Sequence, residues 1–167
     1  MGIRDEEIKR LVNYAKGLNV QVSFKDYVPY SLDAGFAAID GSSITIATSK
    51  DDSKLSVILT LIHEVAHALE AIHTHKRRPD DKLDTALGDE NENRLSRKII
   101  YDFEKASTKW WEIIYRETDM KFPYKKLLIA KEYDLWQYSV WLRTGKFPNK
   151  KTKTKKRKQL KEKYASI

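Results

Sequence analysis

The chain has 167 residues, 41% of them hydrophobic, and no cysteine. That is enough for one independently folding domain, and it excludes disulfide frameworks, thiolate metal sites and cysteine nucleophiles. The net charge of +8 is unevenly placed: Arg143 to Lys163 holds eleven Lys or Arg against Glu162 alone, a balance of +10, so the other residues together stand near −2.

The start, MGIRDEEIKR, is charged and has no apolar leader, and the longest strongly apolar run, Val57 to Ile62, is too short to span a bilayer. The expectation is a cytoplasmic protein without membrane contact. Ile8, Leu11, Val12, Ala15 and Leu18 recur at helical spacing behind acidic residues, which predicts an amphipathic helix over residues 5–18. Val20, Val22 and Phe24 alternate as in a half-buried strand. GFAAIDGSSITIA then gives two β-rich runs around Asp40-Gly41, a dipeptide suited to a hairpin turn.

From Asp51 the period changes to helical. The run DDSKLSVILTLIHEVAHALEAIH has no Gly or Pro, starts with capping residues and would make about six turns, with Leu55, Ile58, Leu59, Ile62, Ala66 and Leu69 as its apolar stripe. A second helix, capped by Asp89 or Asn91, is predicted to run to about Trp111, with further helices near 111–117 and 125–142. Trp110, Trp111, Tyr115, Trp136, Tyr138 and Trp141 fall at helical spacings and read as packing residues. The organisation expected is a body over 1–148 and a flexible basic tail over 149–167.

All four histidines lie between Leu59 and His75. His63 and His67 are i and i+4, so on a helix both rings face one tetrahedral zinc ion. Glu64 is rotated by about 100° from His63, which suits a general base acting on a metal-activated water rather than a ligand. Without a metal, two imidazoles and a carboxylate amid LTLIHEVAHALEAI would strand polar groups at about 1–3 kcal/mol each.

The third ligand has several candidates. His73 stands where HExxHxxGxxH places its last histidine, but Glu70 replaces the glycine that would turn the chain; on a continuing helix His73 faces away. His75 returns to nearly the same face about 12 Å further along. Among the carboxylates that follow, Glu92 has apolar face-mates in Leu95, Ile99 and Ile100, whereas Glu90 shares its face with Arg94, Arg97 and Lys98. Periodicity therefore selects Glu92, with Glu90 and His73 as alternatives.

The order of helix, small sheet with hairpin, HExxH helix and glutamate-bearing helix resembles the gluzincin minimal domain, and NENRLS is similar to the third-ligand motif of thermolysin-type enzymes. Size, the run SITIATSKDDSKLSVILTLIHEVAHAL and the close-following ENRLSRKII helix resemble the ImmA/IrrE family of small intracellular zinc peptidases that cleave transcriptional repressors. The resemblance covers residues 1–105. Asn91 departs from the acidic residue that family carries two positions before the asparagine matched by Asn93, which keeps Glu90 in play.

The resemblance implies an α+β, zincin-like metallopeptidase domain with a three-stranded sheet and added C-terminal helices. Its zinc would be held by His63, His67 and Glu92, and a zinc-activated water, with Glu64 as general base, would cleave peptide bonds of an intracellular protein, a DNA-associated one among the candidates. GFAAI is the candidate strand for pairing with an extended substrate; an ordinary core hairpin arm is the equal alternative. A SprT-like protease of DNA-bound proteins would instead need a third histidine. A zincin scaffold that only binds nucleic acid, or a non-peptidase zinc hydrolase, are the remaining readings. In the tail, Lys150, Lys151, Lys153, Lys155, Lys156, Arg157 and Lys158 are the candidates for phosphate contacts with DNA or RNA.

Overall fold

The structure, a computed structural model, describes residues 3–26, 35–38, 41–49, 52–75, 86 and 93–167; for Ile3, Arg4, Phe36 and His75 only the backbone is described. Among these residues the fold is mixed α+β, with five helices and three strands. In chain order they are α1 (Ile3–Gly17), β1 (Gln21–Asp26), β2 (Gly35–Ala37), β3 (Ser43–Thr48), α2 (Lys54–His75), α3 (Arg94–Glu117), α4 (Tyr124–Thr144) and α5 (Lys150–Lys163).

Two compact units can be distinguished, Met1–Pro79 with Lys109–Phe122, and Asp80–Thr108 with Pro123–Ile167. In the first, α1 buries Leu11 and Ala15 and stops in a tight reversal. Asn19 adopts φ 62°, the Asn19 N–H donates to Lys16 O and the Val20 N–H to Ala15 O. This is the double bond of a Schellman ending, with asparagine in the left-handed position usually taken by glycine. It aims the chain directly into β1. The same closure recurs after α3, where Asp119 has φ 50°, its N–H donates to Arg116 O and that of Met120 to Tyr115 O. Glu7, buried at 1% exposure, then accepts the N–H groups of Lys121 and Phe122 and ties that turn to α1.

The sheet has the order β1-β3-β2, with β1 parallel and β2 antiparallel to β3. The expected hairpin is therefore present, and Ile44 and Ile46 alternate into the core as their period requires. Phe24 is the exception to the expected half-buried pattern: β1 pairs on one side only among the described residues, and Phe24 is 45% exposed near its end.

Helix α2 packs against α1, β2 and β3. It is buried on more than the predicted stripe, since Leu61, Val65 and Ala68 are inaccessible together with Ile58, Ile62 and Ala66. It is also the one described helix long and apolar enough to cross a membrane, a longer apolar unit than the six-residue run noted in the sequence; 61% of that window is buried within the fold.

Helix α3 runs unbroken through Trp110 and Trp111 to Glu117, where two shorter helices were predicted. Nothing at Trp111 interrupts it, because neither Gly nor Pro occurs between Arg94 and Glu117. Its cap is Asn93, whose Oδ1 accepts the N–H groups of Leu95 and Ser96. The predicted caps, Asp89 and Asn91, lie outside the described residues.

In the second unit α4 ends on Gly145 at φ 71°, its N–H donating to Trp141 O. The segment read as a flexible tail forms α5 instead. Asn149 caps it by accepting the Thr152 N–H, and Leu160 is buried to 1% exposure. Leu160 is the sole apolar residue between Lys150 and Lys163, so hydrophobic periodicity carried no signal there. The helix is held by charged side chains: Glu132 of α4 receives Lys163 at 2.5 Å, Tyr164 Oη at 2.8 Å and Lys156 at 3.7 Å.

Candidate metal centre

Because α2 is helical through residues 63–67, both imidazoles leave the same face one turn apart. Their Nε2 atoms approach to 2.8 Å, with ring centroids 4.4 Å apart and planes at 79°. The Trp111 ring meets His63 edge-on at 5.7 Å and 90°, fixing that imidazole from the α3 side. Glu64 is buried at 5% exposure, with Oε1 4.0 Å from His63 Nε2. It is next to the pair without being part of the closest contact.

The hairpin supports this stretch through two glycines. A Cβ on Gly35 would stand 2.9 Å from Glu64 Cγ and 3.1 Å from its Oε1, so β2 can lie against Glu64 only without a side chain at that position. Gly41 combines a φ of 72° with a virtual Cβ 2.7 Å from Ala68 O, one turn beyond Glu64. Each glycine answers to a particular point on α2.

Among the described residues, His63, His67 and Glu104 form a group that could hold a metal ion. One ligand atom each from His63, His67 and Glu104 lie within 4.8 Å of one another, and Glu104 is 8% exposed. Glu104 precedes Trp111 by two turns on the same face of the unbroken α3. Two imidazole nitrogens and one carboxylate oxygen form a donor set typical of zinc sites that leave the fourth position open. Tetrahedral bonds of about 2.0–2.2 Å separate neighbouring ligand atoms by roughly 3.3–3.6 Å. The observed separations, 2.8 Å for the two nitrogens and at most 4.8 Å for the set, bracket that value, so the residues fit the ion after small side-chain rotations.

Glu92 and Glu90 lie outside the described residues. Of the apolar residues from which Glu92 was selected, Leu95 is 68% exposed and Ile99 and Ile100 are half-buried, whereas Ser96 is buried. The buried row of α3 and the turn after it is Glu104, Ser107, Trp111, Ile114 and Thr118, spaced alternately by three and four. Glu104 is the one carboxylate in that row. The spacing was available in the sequence, but it becomes informative only once α3 is known to continue past Trp111.

His73 turns to Trp110, at 5.7 Å between ring centroids, and is not one of the three. Its departure follows from the continuation of α2 past Glu70. The His75 side chain lies outside the described residues. Glu70 is itself buried at 7% exposure and takes the Trp110 Nε1–H at 2.8 Å and Lys109 Nζ at 2.7 Å. Burial raises its carboxyl, but the hydrogen bonds from Lys109 and Trp110 outweigh that and hold it below the ordinary glutamate value.

No protein-family model, curated protein or solved structure matches this chain.

The basic residues named as phosphate contacts are all on or at the start of α5, but they do not share one environment. Lys156 is 22% exposed in its side chain and points to Glu132 and the Trp136 ring, and the Arg157 guanidinium lies 4.7 Å from the Tyr133 centroid. Lys153 is half-buried. Lys150, Lys151, Lys155 and Lys158 are exposed.

Proposed function

We propose that the chain is a zinc-dependent metallopeptidase acting on an intracellular protein, with His63, His67 and Glu104 as metal ligands and Glu64 as general base. The observation that carries the reading is the convergence of His63, His67 and buried Glu104 to within 4.8 Å, with Glu64 beside them. The resemblance to gluzincins of the ImmA/IrrE type supports the same chemistry, with one departure: the carboxylate stands 37 residues past His67 in place of Glu92.

Zinc bound there would supply Lewis acidity, which lowers the pKa of a water molecule and polarises a carbonyl. Glu64, braced by Gly35, would accept the proton that water loses as its oxygen bonds to the carbonyl carbon. The same carboxyl would return that proton to the nitrogen as the C–N bond breaks. Strand β2 ends the sheet among the described residues, and an extended peptide is the substrate shape such an edge accommodates. The absence of cysteine agrees with a cytoplasmic setting.

Metal analysis combined with three variants tests this. Purified protein is expected to hold about one zinc per chain. Glu104→Ala should weaken zinc binding by more than roughly a hundredfold, beyond what loss of an outer-shell partner costs, while Glu92→Ala leaves it intact. Glu64→Gln should keep the metal and lose hydrolysis of a mixed peptide library. Retention of zinc in Glu104→Ala with its loss in Glu92→Ala would return the ligand to the segment before α3. A folded, metal-free wild type would end the zinc reading.

A further inference from the structure

The same cationic residues that pack α5 onto α4 leave the opposite side of α5 as a stripe of lysines. At about 100° per residue, Lys151, Lys155 and Lys158 fall within roughly 60° of one another and nearly opposite Leu160. Leu160 is 1% exposed, Lys156 is 22% exposed in its side chain, and Lys158 is 81% exposed. Lys150 and Lys161 flank the stripe, and Glu162 is the single acid on that side, 4.0 Å from Lys158. Glu132, Tyr133 and Trp136 thus engage Lys156, Arg157 and Lys163 on the α4 side, where Arg157 and Lys163 stay solvent-exposed, and sort the charges of α5 into an anchoring set and a presenting set.

We infer that the presenting face of α5, Lys151, Lys155 and Lys158 with Lys150 and Lys161 beside them, is a preformed docking surface for the phosphate backbone of duplex DNA. The assignment goes beyond the peptidase reading and does not depend on it. Its basis is charge complementarity on a rigid element. The outer face spans about 16 Å along the helix axis from Lys150 to Lys161, and B-DNA offers one negative charge per ~1.7 Å.

Composition separates DNA from other anionic partners. A bilayer surface would require an apolar face to enter the interface, and the one apolar residue of α5 is buried. A protein partner would call for aromatic or arginine anchors, whereas lysine is depleted from such interfaces. Single strands are held by stacking platforms, and the outward row contains none. Arg157, the one arginine, is engaged with Tyr133.

The experiment compares two triple substitutions of equal charge in the full chain, using a fluorescent mixed-sequence DNA duplex at several salt concentrations. The outward triple Lys151→Ala, Lys155→Ala and Lys158→Ala should reduce affinity on the order of a hundredfold at about 0.1 M salt and lower the salt slope by about 2.7. The inward triple Lys156→Ala, Arg157→Ala and Lys163→Ala should cost less than about tenfold through the general loss of charge. Because alanine favours helix, the outward triple should melt like the wild type. An outward Lys→Arg triple should bind as the wild type does. Equal losses from the two alanine triples would overturn the proposal, because a flexible tail would use all its cations alike. So would failure of the wild type to bind duplex DNA at low salt, or tighter binding to duplex RNA, polyglutamate or anionic vesicles.

Discussion

Glu70 shows how one residue redirects the reading of its neighbours. It occupies the position at which a glycine would end α2 and bring His73 toward the pair; instead α2 continues and His73 meets Trp110. The carboxylate of Glu70 then fastens the Lys109–Trp110 step of α3, immediately before Trp111 in its contact with His63. Since its carboxyl is held below the ordinary value, its contribution to stability is complete above the unfolded-state pKa of about 4.3. That contribution is lost as pH falls through the lowered value. The difference in thermal midpoint between wild type and Glu70→Gln is therefore expected to be constant from pH 6 to 7, to narrow below about pH 4 and to vanish in stronger acid. A difference that grows on acidification would contradict the assignment. At this scale His63, Glu64 and His67 were legible because i, i+4 spacing suffices to bring them together. Glu104 was not, because the buried row it shares with Ser107, Trp111 and Ile114 emerges only once α3 is continuous past Trp111.

Among the elements, the hairpin and α2 were readable, since alternation around Asp40-Gly41 and a long uninterrupted helical period are local signals. Gly41 carries the steric part of that packing. Alanine there would have to adopt positive φ while its Cβ pressed on Ala68 O, a backbone atom held in α2. Gly41→Ala is expected to cost about 1–3 kcal/mol, measured as a shift of the urea midpoint with unchanged slope. Gly35→Ala presses instead on the Glu64 side chain, whose Cγ and Oε1 can swing aside. It should fold and bind zinc while losing at least about tenfold in hydrolysis, through displacement of the base. If the Gly35 variant kept full activity, the hairpin would have no role in placing Glu64. The element that escaped the sequence was α5, because its attachment is by cap, ion pairs and a single leucine. Hydrophobic patterning is blind to such a helix.

For the whole molecule, charge and packing meet in α5. Residues 149–167 contain nine Lys or Arg and one acid, a balance of +8 equal to that of the entire chain, so the remaining residues are formally neutral. The sequence alone predicts that deleting them removes nucleic-acid binding and leaves the body unaffected. The structure adds a second consequence, because Leu160 and the cations around Glu132 cover part of α4. Without α5, Tyr133 and Trp136 lose the cover of Arg157 and Lys156, and Glu132 loses the hydrogen bonds from Lys163 and Tyr164 that hold its carboxyl low against burial. The full chain has a sequence pI near 9.4 and should remain soluble at neutral pH. A chain ending at residue 148 would lie close to its isoelectric point there and expose apolar rings at the same time. It is expected to self-associate near pH 7 in light scattering, to disperse again as pH is moved well away on either side, and to melt below the full-length protein even at pH values where both are monomeric. Dispersal without any loss in melting temperature would show that α5 supplies charge alone and that its packing on α4 contributes no stability.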